Sequence, residues 1–168
     1  GEYGAFALRT ARAVKSANPR AKVLAGSFCH HFSFFYHMMS AELARVIDYV
    51  TYHRYQFDVD NGAIEHVRNI RAVLNQFDPR IGIIQGETGA QSDYSTQGAL
   101  RNACWTQRKQ AKFLLRKVMI DLMTEVLFTS YFSMVDIFEN IYDDGGELTR
   151  DWYGFFGLLG ERFDERGR

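Results

Sequence analysis

Ile81-Gly82-Ile83-Ile84-Gln85-Gly86-Glu87-Thr88-Gly89 decides how this chain is read. Three β-branched isoleucines stand between Pro79 and Gly89, so the run predicts a buried strand over Ile81 to Glu87. The strand ends in a carboxylate and a turn follows at once. An ionised Glu at the end of a buried strand is costly unless it is paired or used. The carboxyl ends of parallel strands are where α/β barrels and open α/β sheets place reacting groups. Glu87 is therefore the first candidate for a catalytic role. The competing reading is a structural Glu paired with an Arg such as Arg54.

Outward from that stretch, helices and strands alternate. Apolar spacing predicts helices over Tyr3 to Ala17, Ala41 to Val46, Gly62 to Phe77, Ala99 to Thr124 and Arg150 to Phe163. Strands are predicted over Lys22 to Ser27, Ile47 to His53, Ile81 to Glu87 and Val126 to Val135. Phe28 to Met39, Thr88 to Gly98 and Asp136 to Thr149 read as loops, and the charged tail Asp164 to Arg168 as a frayed end. Asn18-Pro19-Arg20 and Asp78-Pro79-Arg80 lie 60 residues apart, and each leads from a helix into a strand. Proline cannot continue a helix, so it suits that corner.

Strict alternation calls for a parallel sheet covered by helices, an α/β fold with four strands and about five helices. A closed (β/α)8 TIM barrel takes about 250 residues. Residues 1–168 thus read as a single partial domain, half of such a barrel, with two open sheet edges. A missing N-terminal half-barrel, or a second chain, is expected to complete the sheet. Gly1 is not an initiator Met and a helical pattern is already running at Glu2, so further chain is expected upstream.

Composition narrows the partners. Hydrophobic residues make up 46% and aromatic residues 15%, with 14 Phe and 9 Tyr, which places the chain among globular proteins. Basic and acidic residues balance at 20 each, which leaves no general handle for nucleic acid or an anionic membrane. No apolar run reaches the roughly 18 residues of a membrane span. The two cysteines, Cys29 and Cys104, do not make a disulfide scaffold and read as reduced thiols. His30, His31 and His37 beside Cys29 lack a recognised ligand spacing. The acidic stretch from Glu139 to Glu147 fits a calcium loop poorly.

Three places together resemble the C-terminal half of a clan A retaining glycoside hydrolase, a (β/α)8 barrel. Ile84-Gln85-Gly86-Glu87-Thr88-Gly89 is similar to the strand-seven end that holds the nucleophile. Thr51-Tyr52-His53-Arg54-Tyr55 is similar to the strand-six end, where a His and a Tyr line the sugar subsite. Glu2-Tyr3, Ala17-Asn18-Pro19 and Lys22 to Gly26 are similar to the helix and strand that follow the acid/base. The resemblance implies retaining hydrolysis of a β-glycosidic bond, with Glu87 as nucleophile. It implies that His53 contacts sugar hydroxyls and that Tyr55 or Tyr52 hydrogen-bonds the carboxylate. The family usually carries an aromatic sugar platform, often Trp, at the end of strand eight. This chain has no Trp there, and Tyr131 or Phe132 takes its place.

Retaining chemistry needs two carboxylates roughly 5 Å apart. The family's acid/base lies just upstream of Gly1, so this chain alone is expected to be inactive. Two apart, His53 and Tyr55 would share one face of an extended strand. The polar loop Gly89 to Ser95, with Gln91, could rim a sugar site or be a solvated connection. The implied partner is a carbohydrate substrate, and no metal or organic cofactor is implied. A catalytically incomplete carbohydrate- or partner-binding barrel remnant is the alternative. An α/β enzyme of other chemistry, with Glu87 as general base, is a third reading.

Overall fold

The computed structural model describes residues 1–29, 31–142 and 145–159. His30, Asp143, Asp144 and everything from Gly160 onward lie outside the described residues. So do the charged tail and the end of the helix expected over Arg150 to Phe163. Two compact units form, one from Gly1–Arg54, Asp60–Glu87 and Val118–Ser130, the other from Tyr55–Val59, Thr88–Lys117 and the chain from Tyr131 onward.

The first unit carries the α/β alternation: α1 (Glu2–Ala17), β1 (Leu24–Phe28), α2 (Phe32–Met38), α3 (Ala41–Ala44), β2 (Tyr49–His53), α4 (Ala63–Leu74) and β3 (Gly82–Thr88). α5 (Gln107–Met123) leads into β4 (Val126–Tyr131). The four strands are parallel, in the order β1-β2-β3-β4, as the alternation requires. Val50, Tyr52 and Ile83 point to the packed side and join Phe35, Leu43, Ile70 and Leu74 in one buried cluster. Tyr49, Thr51 and His53 alternate with them on the opposite, less buried face, the period of two that a strand imposes. Among the described residues, no helix is long and apolar enough to cross a membrane.

The two proline corners share one construction. The Asn18 side-chain oxygen accepts from the Arg20 amide at 3.1 Å, and the Asp78 carboxylate accepts from the Arg80 amide at 2.9 Å. Each turn closes with a backbone bond, from Ala21 to Asn18 and from Ile81 to Asp78. A side-chain oxygen that captures the amide two residues on replaces the helical bond and turns the chain. The repeat thus marks corresponding helix-to-strand corners: β1 starts at Leu24, shortly after the first, and β3 at Gly82, shortly after the second.

Asp48 ties the lower end of β1 and β2 together. Its carboxylate receives Lys15 at 2.7 Å, Lys22 at 2.9 Å and the Val23 amide at 2.9 Å. Burial pushes the Asp48 carboxyl upward, but these three donors outweigh it and hold the group well below the usual carboxylate range. The carboxylate therefore stabilises the fold above its unfolded value of about 4. That stability is lost as pH falls through the lower folded value. Asp48→Asn is expected to lower the urea midpoint at pH 7. The difference between midpoints at neutral and strongly acidic pH should be smaller in the variant than in the parent.

The second unit departs from the sequence reading. A helix was expected over Arg150 to Phe163, after a loop from Asp136. The chain instead forms an antiparallel hairpin, β5 (Ile137–Tyr142) with β6 (Leu148–Gly154). Gly154 and Gly157 each weaken a helix by about 1 kcal/mol relative to Ala. Trp152 and Tyr153 favour strands, and Gly146, at φ 82°, supplies the turn. A second correction concerns Phe28 to Met39, where α2 replaces much of the expected loop. Phe35 and Met38, three apart, are buried as a helical pair. A third is the start of α5, which begins at Gln107 rather than Ala99. Leu100 and Asn102 both have φ of 60°, outside the helical region, and Thr106 Oγ1 caps the Lys109 amide at 3.2 Å.

One side chain fastens this unit. Gln110, buried on α5, points its amide at the carbonyls of Ala90, Phe156 and Gly157, at 3.0, 3.3 and 3.0 Å. Ser92 adds a backbone bond to Phe155 at 2.7 Å. Gln110→Leu removes the donor while the carbonyls remain, which costs about 1–3 kcal/mol. A chemical-denaturation midpoint that does not move would contradict this role.

Candidate active site

Glu87 and Gln85 are two apart on β3, a spacing that in a regular strand puts both on one face. Gln85 is fully buried, whereas the Glu87 side chain is 38% exposed. The register explains the difference. Tyr52 pairs with Gln85, but the next residue, His53, pairs with Glu87, and Gly86 is left over as a bulge. An extra residue reverses the facing of everything after it. Glu87 therefore leaves the packed side and stands beside His53, with the Arg54 amide bonded to its carbonyl at 3.2 Å. Its Oε2 lies 3.8 Å from His53 Nδ1, within reach of an ion pair with an imidazolium and longer than a hydrogen bond.

β1 repeats the device. Gly26 pairs with Thr51 and Phe28 with Tyr52, so Ser27 is the extra residue, at φ 64°. Its hydroxyl lies 3.1 Å from His53 Nε2. His53 is thus held on one side by Ser27 and faces the carboxylate with its other nitrogen, which defines the ring's orientation. Ser27 was not among the residues singled out from sequence. The signal was the Gly26-Ser27 pair breaking the apolar alternation at a strand end, a bulge pattern.

Gly86 is required by this geometry. A Cβ there would collide with Thr51 Oγ1 and stand 3.0 Å from His53 Nε2. Thr51 is β-branched and stiff, so the collision falls on His53 or on the strand. Glu87 thus shows a half-exposed carboxylate on a rigid strand end, oriented by neighbours, which suits a nucleophile or a general base.

The remaining expected residues are placed as follows. Tyr52 lies on the packed side and is buried; burial and the adjacent Asp121 carboxylate raise its phenol above the ordinary range. β2 ends at His53, so the strand's alternation does not extend to Tyr55. Tyr55 belongs to the second unit, with its ring edge-on to Phe156 at 6.1 Å. Phe132 also meets Phe156 edge-on, at 5.7 Å. The Tyr131 hydroxyl both donates to and accepts from the Ala90 backbone at 3.3 Å, and burial raises its phenol. Gln91 is fully buried and donates to the Gln97 and Ala99 carbonyls at 3.1 and 2.8 Å, bracing its loop from within. Among the described residues there is no group of three or more His, Cys, Asp or Glu placed to hold a metal.

No family model matches the chain, and no curated protein matches it in sequence. Solved structures do match its fold. A β-1,3-glucanosyltransferase from Rhizomucor miehei superposes with a TM-score of 0.58 at 14% identity, over 94% of this chain and 54% of that one. A β-glucuronidase from Bacteroides uniformis gives 0.59 at 19% identity, over 93% of this chain and 18% of that one. A family 51 α-L-arabinofuranosidase from Bifidobacterium longum gives 0.56 at 14% identity, over 80% and 34%. These neighbours are TIM-barrel glycoside hydrolases, and this chain spans about half the length of the first and less of the others.

Gly86→Ala is expected to move the His53 ring and to cost about 1–3 kcal/mol through the forced shift. Two-dimensional NMR of the imidazole protons, with a denaturation midpoint, measures both. Unchanged His53 signals would contradict the close approach.

Proposed function

We propose that this chain is the C-terminal half of a retaining glycoside hydrolase of the clan A type, acting on a β-glycosidic bond. Glu87 is the nucleophile: fixed at the carboxyl end of β3, it attacks the anomeric carbon and forms a glycosyl-enzyme intermediate. His53, oriented by Ser27, contacts sugar hydroxyls and steadies the carboxylate. Tyr55 and Tyr131 are the further residues that this reading assigns to sugar binding. The acid/base that protonates the leaving oxygen belongs to polypeptide upstream of Gly1.

The observation that carries this reading is the bulge at Gly86, which turns Glu87 from the packed side to stand 3.8 Å from His53. The fold of the neighbouring hydrolases supports the reaction class. The outer strands support the missing half: β1 and β4 end the sheet, and Leu24 on β1 and Leu127 and Phe128 on β4 are exposed. A strand edge flanked by exposed apolar side chains calls for a further strand, from an N-terminal half-barrel or a second chain.

The full-length protein, treated with a slow 2-deoxy-2-fluoro glycoside and digested, is expected to carry the label on Glu87. Glu87→Gln should lower kcat/KM on the order of 10³-fold or more. A label on any other residue would end the assignment.

A further inference from the structure

Two bulges at neighbouring strand ends bring a hydroxyl, an imidazole and a carboxylate into one row. The Ser27 hydroxyl lies 3.1 Å from His53 Nε2, and Glu87 Oε2 lies 3.8 Å from His53 Nδ1. All three residues belong to the first unit. Hydroxyl and carboxylate on opposite ring nitrogens is the order of a nucleophile, its base and the base's orienter. A carboxylate facing Nδ1 favours the proton on that nitrogen. Nε2 then offers its lone pair to the Ser27 hydroxyl, which donates. The 3.8 Å spacing is loose, as such contacts often are before a substrate closes on them. Ser27 itself is exposed and held at φ 64°, uncommon for a residue with a Cβ. A strained serine between a strand and a helix is how α/β hydrolases present a nucleophile. Ser27 stands near the end of β1, ahead of α2.

We propose that Ser27, His53 and Glu87 are a Ser-His-Glu triad that cleaves esters of apolar carboxylic acids. Ser27 Oγ attacks the ester carbonyl carbon while its proton passes to His53 Nε2. The bond from that carbon to the alcohol oxygen breaks, and the alcohol leaves with the proton. Water then attacks the acyl-Ser27 carbonyl and gives a proton to His53. The carboxylic acid leaves as Ser27 Oγ takes that proton back. Glu87 orients the imidazole and does not attack in this reaction. Along the chain, Ser27 leads into a cleft of about 460 Å³, lined in part by Phe28, Cys29 and the exposed ring of Phe34. Aromatic walls suit an apolar acyl group.

The full-length protein is treated with an alkyl fluorophosphonate, and labelled peptides are mapped by mass spectrometry. The reagent bonds serine Oγ to phosphorus as fluoride leaves. The label is expected on Ser27 in the folded protein and not in urea. His53→Ala should slow labelling on the order of 10³-fold. Glu87→Gln should slow it on the order of 10²-fold, while Glu87→Asp keeps part of the rate at a matched unfolding midpoint. Turnover of p-nitrophenyl butyrate should fall on the order of 10²-fold in Ser27→Ala. No label on Ser27, or equal labelling in urea, would overturn the proposal. So would a Glu87→Gln rate equal to the parent's, or butyrate ester turnover that survives Ser27→Ala. A fluorosugar label on Glu87 is read in the same peptide maps, so failure of this triad and failure of the hydrolase reading give different results.

Discussion

A strand shows alternate residues to opposite faces, and the candidate site depends on breaking that rule at two neighbouring points. Ser27 is inserted into β1 against β2, and Gly86 into β3 against β2. Both insertions fall at the carboxyl ends of their strands, next to the His53 end of β2. Below them the sheet is regular, with Val50, Tyr52, Ile83 and Gln85 buried on one side. Above them Ser27, His53 and Glu87 converge. Regular pleating buries the core, and its local failure presents the polar groups. The bulged strand belongs to the packed sheet, so the carboxylate stands on a rigid element rather than on a loop.

The opposite ends of the strands do stabilising work. Asp48 collects two ammonium groups and a backbone amide, and the Asx turns at Asn18 and Asp78 lead the chain into β1 and β3. This division is what a parallel α/β fold produces. Its carboxyl-end loops are free to vary in chemistry, while its amino-end corners fix strand starts. Stability changes at Asp48 should therefore be separable from effects on any ligand of Glu87.

The alternation of helix and strand was legible through β4 because each element carries its own periodicity and stops, and Glu87 was legible as a carboxylate ending an apolar run. Several local features were not. Ser27 and Gly86 act through register, which depends on the neighbouring strand. α2 is short and rich in Phe and His, so its buried pair, Phe35 and Met38, is hidden among exposed rings. The first turns expected of α5 fail on the backbone angles of Leu100 and Asn102, which side-chain pattern does not encode. The hairpin is hidden in the sequence because the aromatic residues around Trp152 resemble a helical stripe when the turn at Gly146 is not taken into account. Gln110 is hidden for a related reason: a polar residue on a basic helix looks solvated until its three carbonyl partners are folded around it.

A crystal structure of the full-length protein with an intact oligosaccharide tests the central claim most directly. The account places a sugar ring over the carboxyl end of β3, with a Glu87 carboxylate oxygen facing its anomeric carbon and the Gly86 bulge intact between Gln85 and Glu87. A regular β3 with Glu87 turned toward the helices, or a sugar bound away from His53 and Glu87, would contradict it.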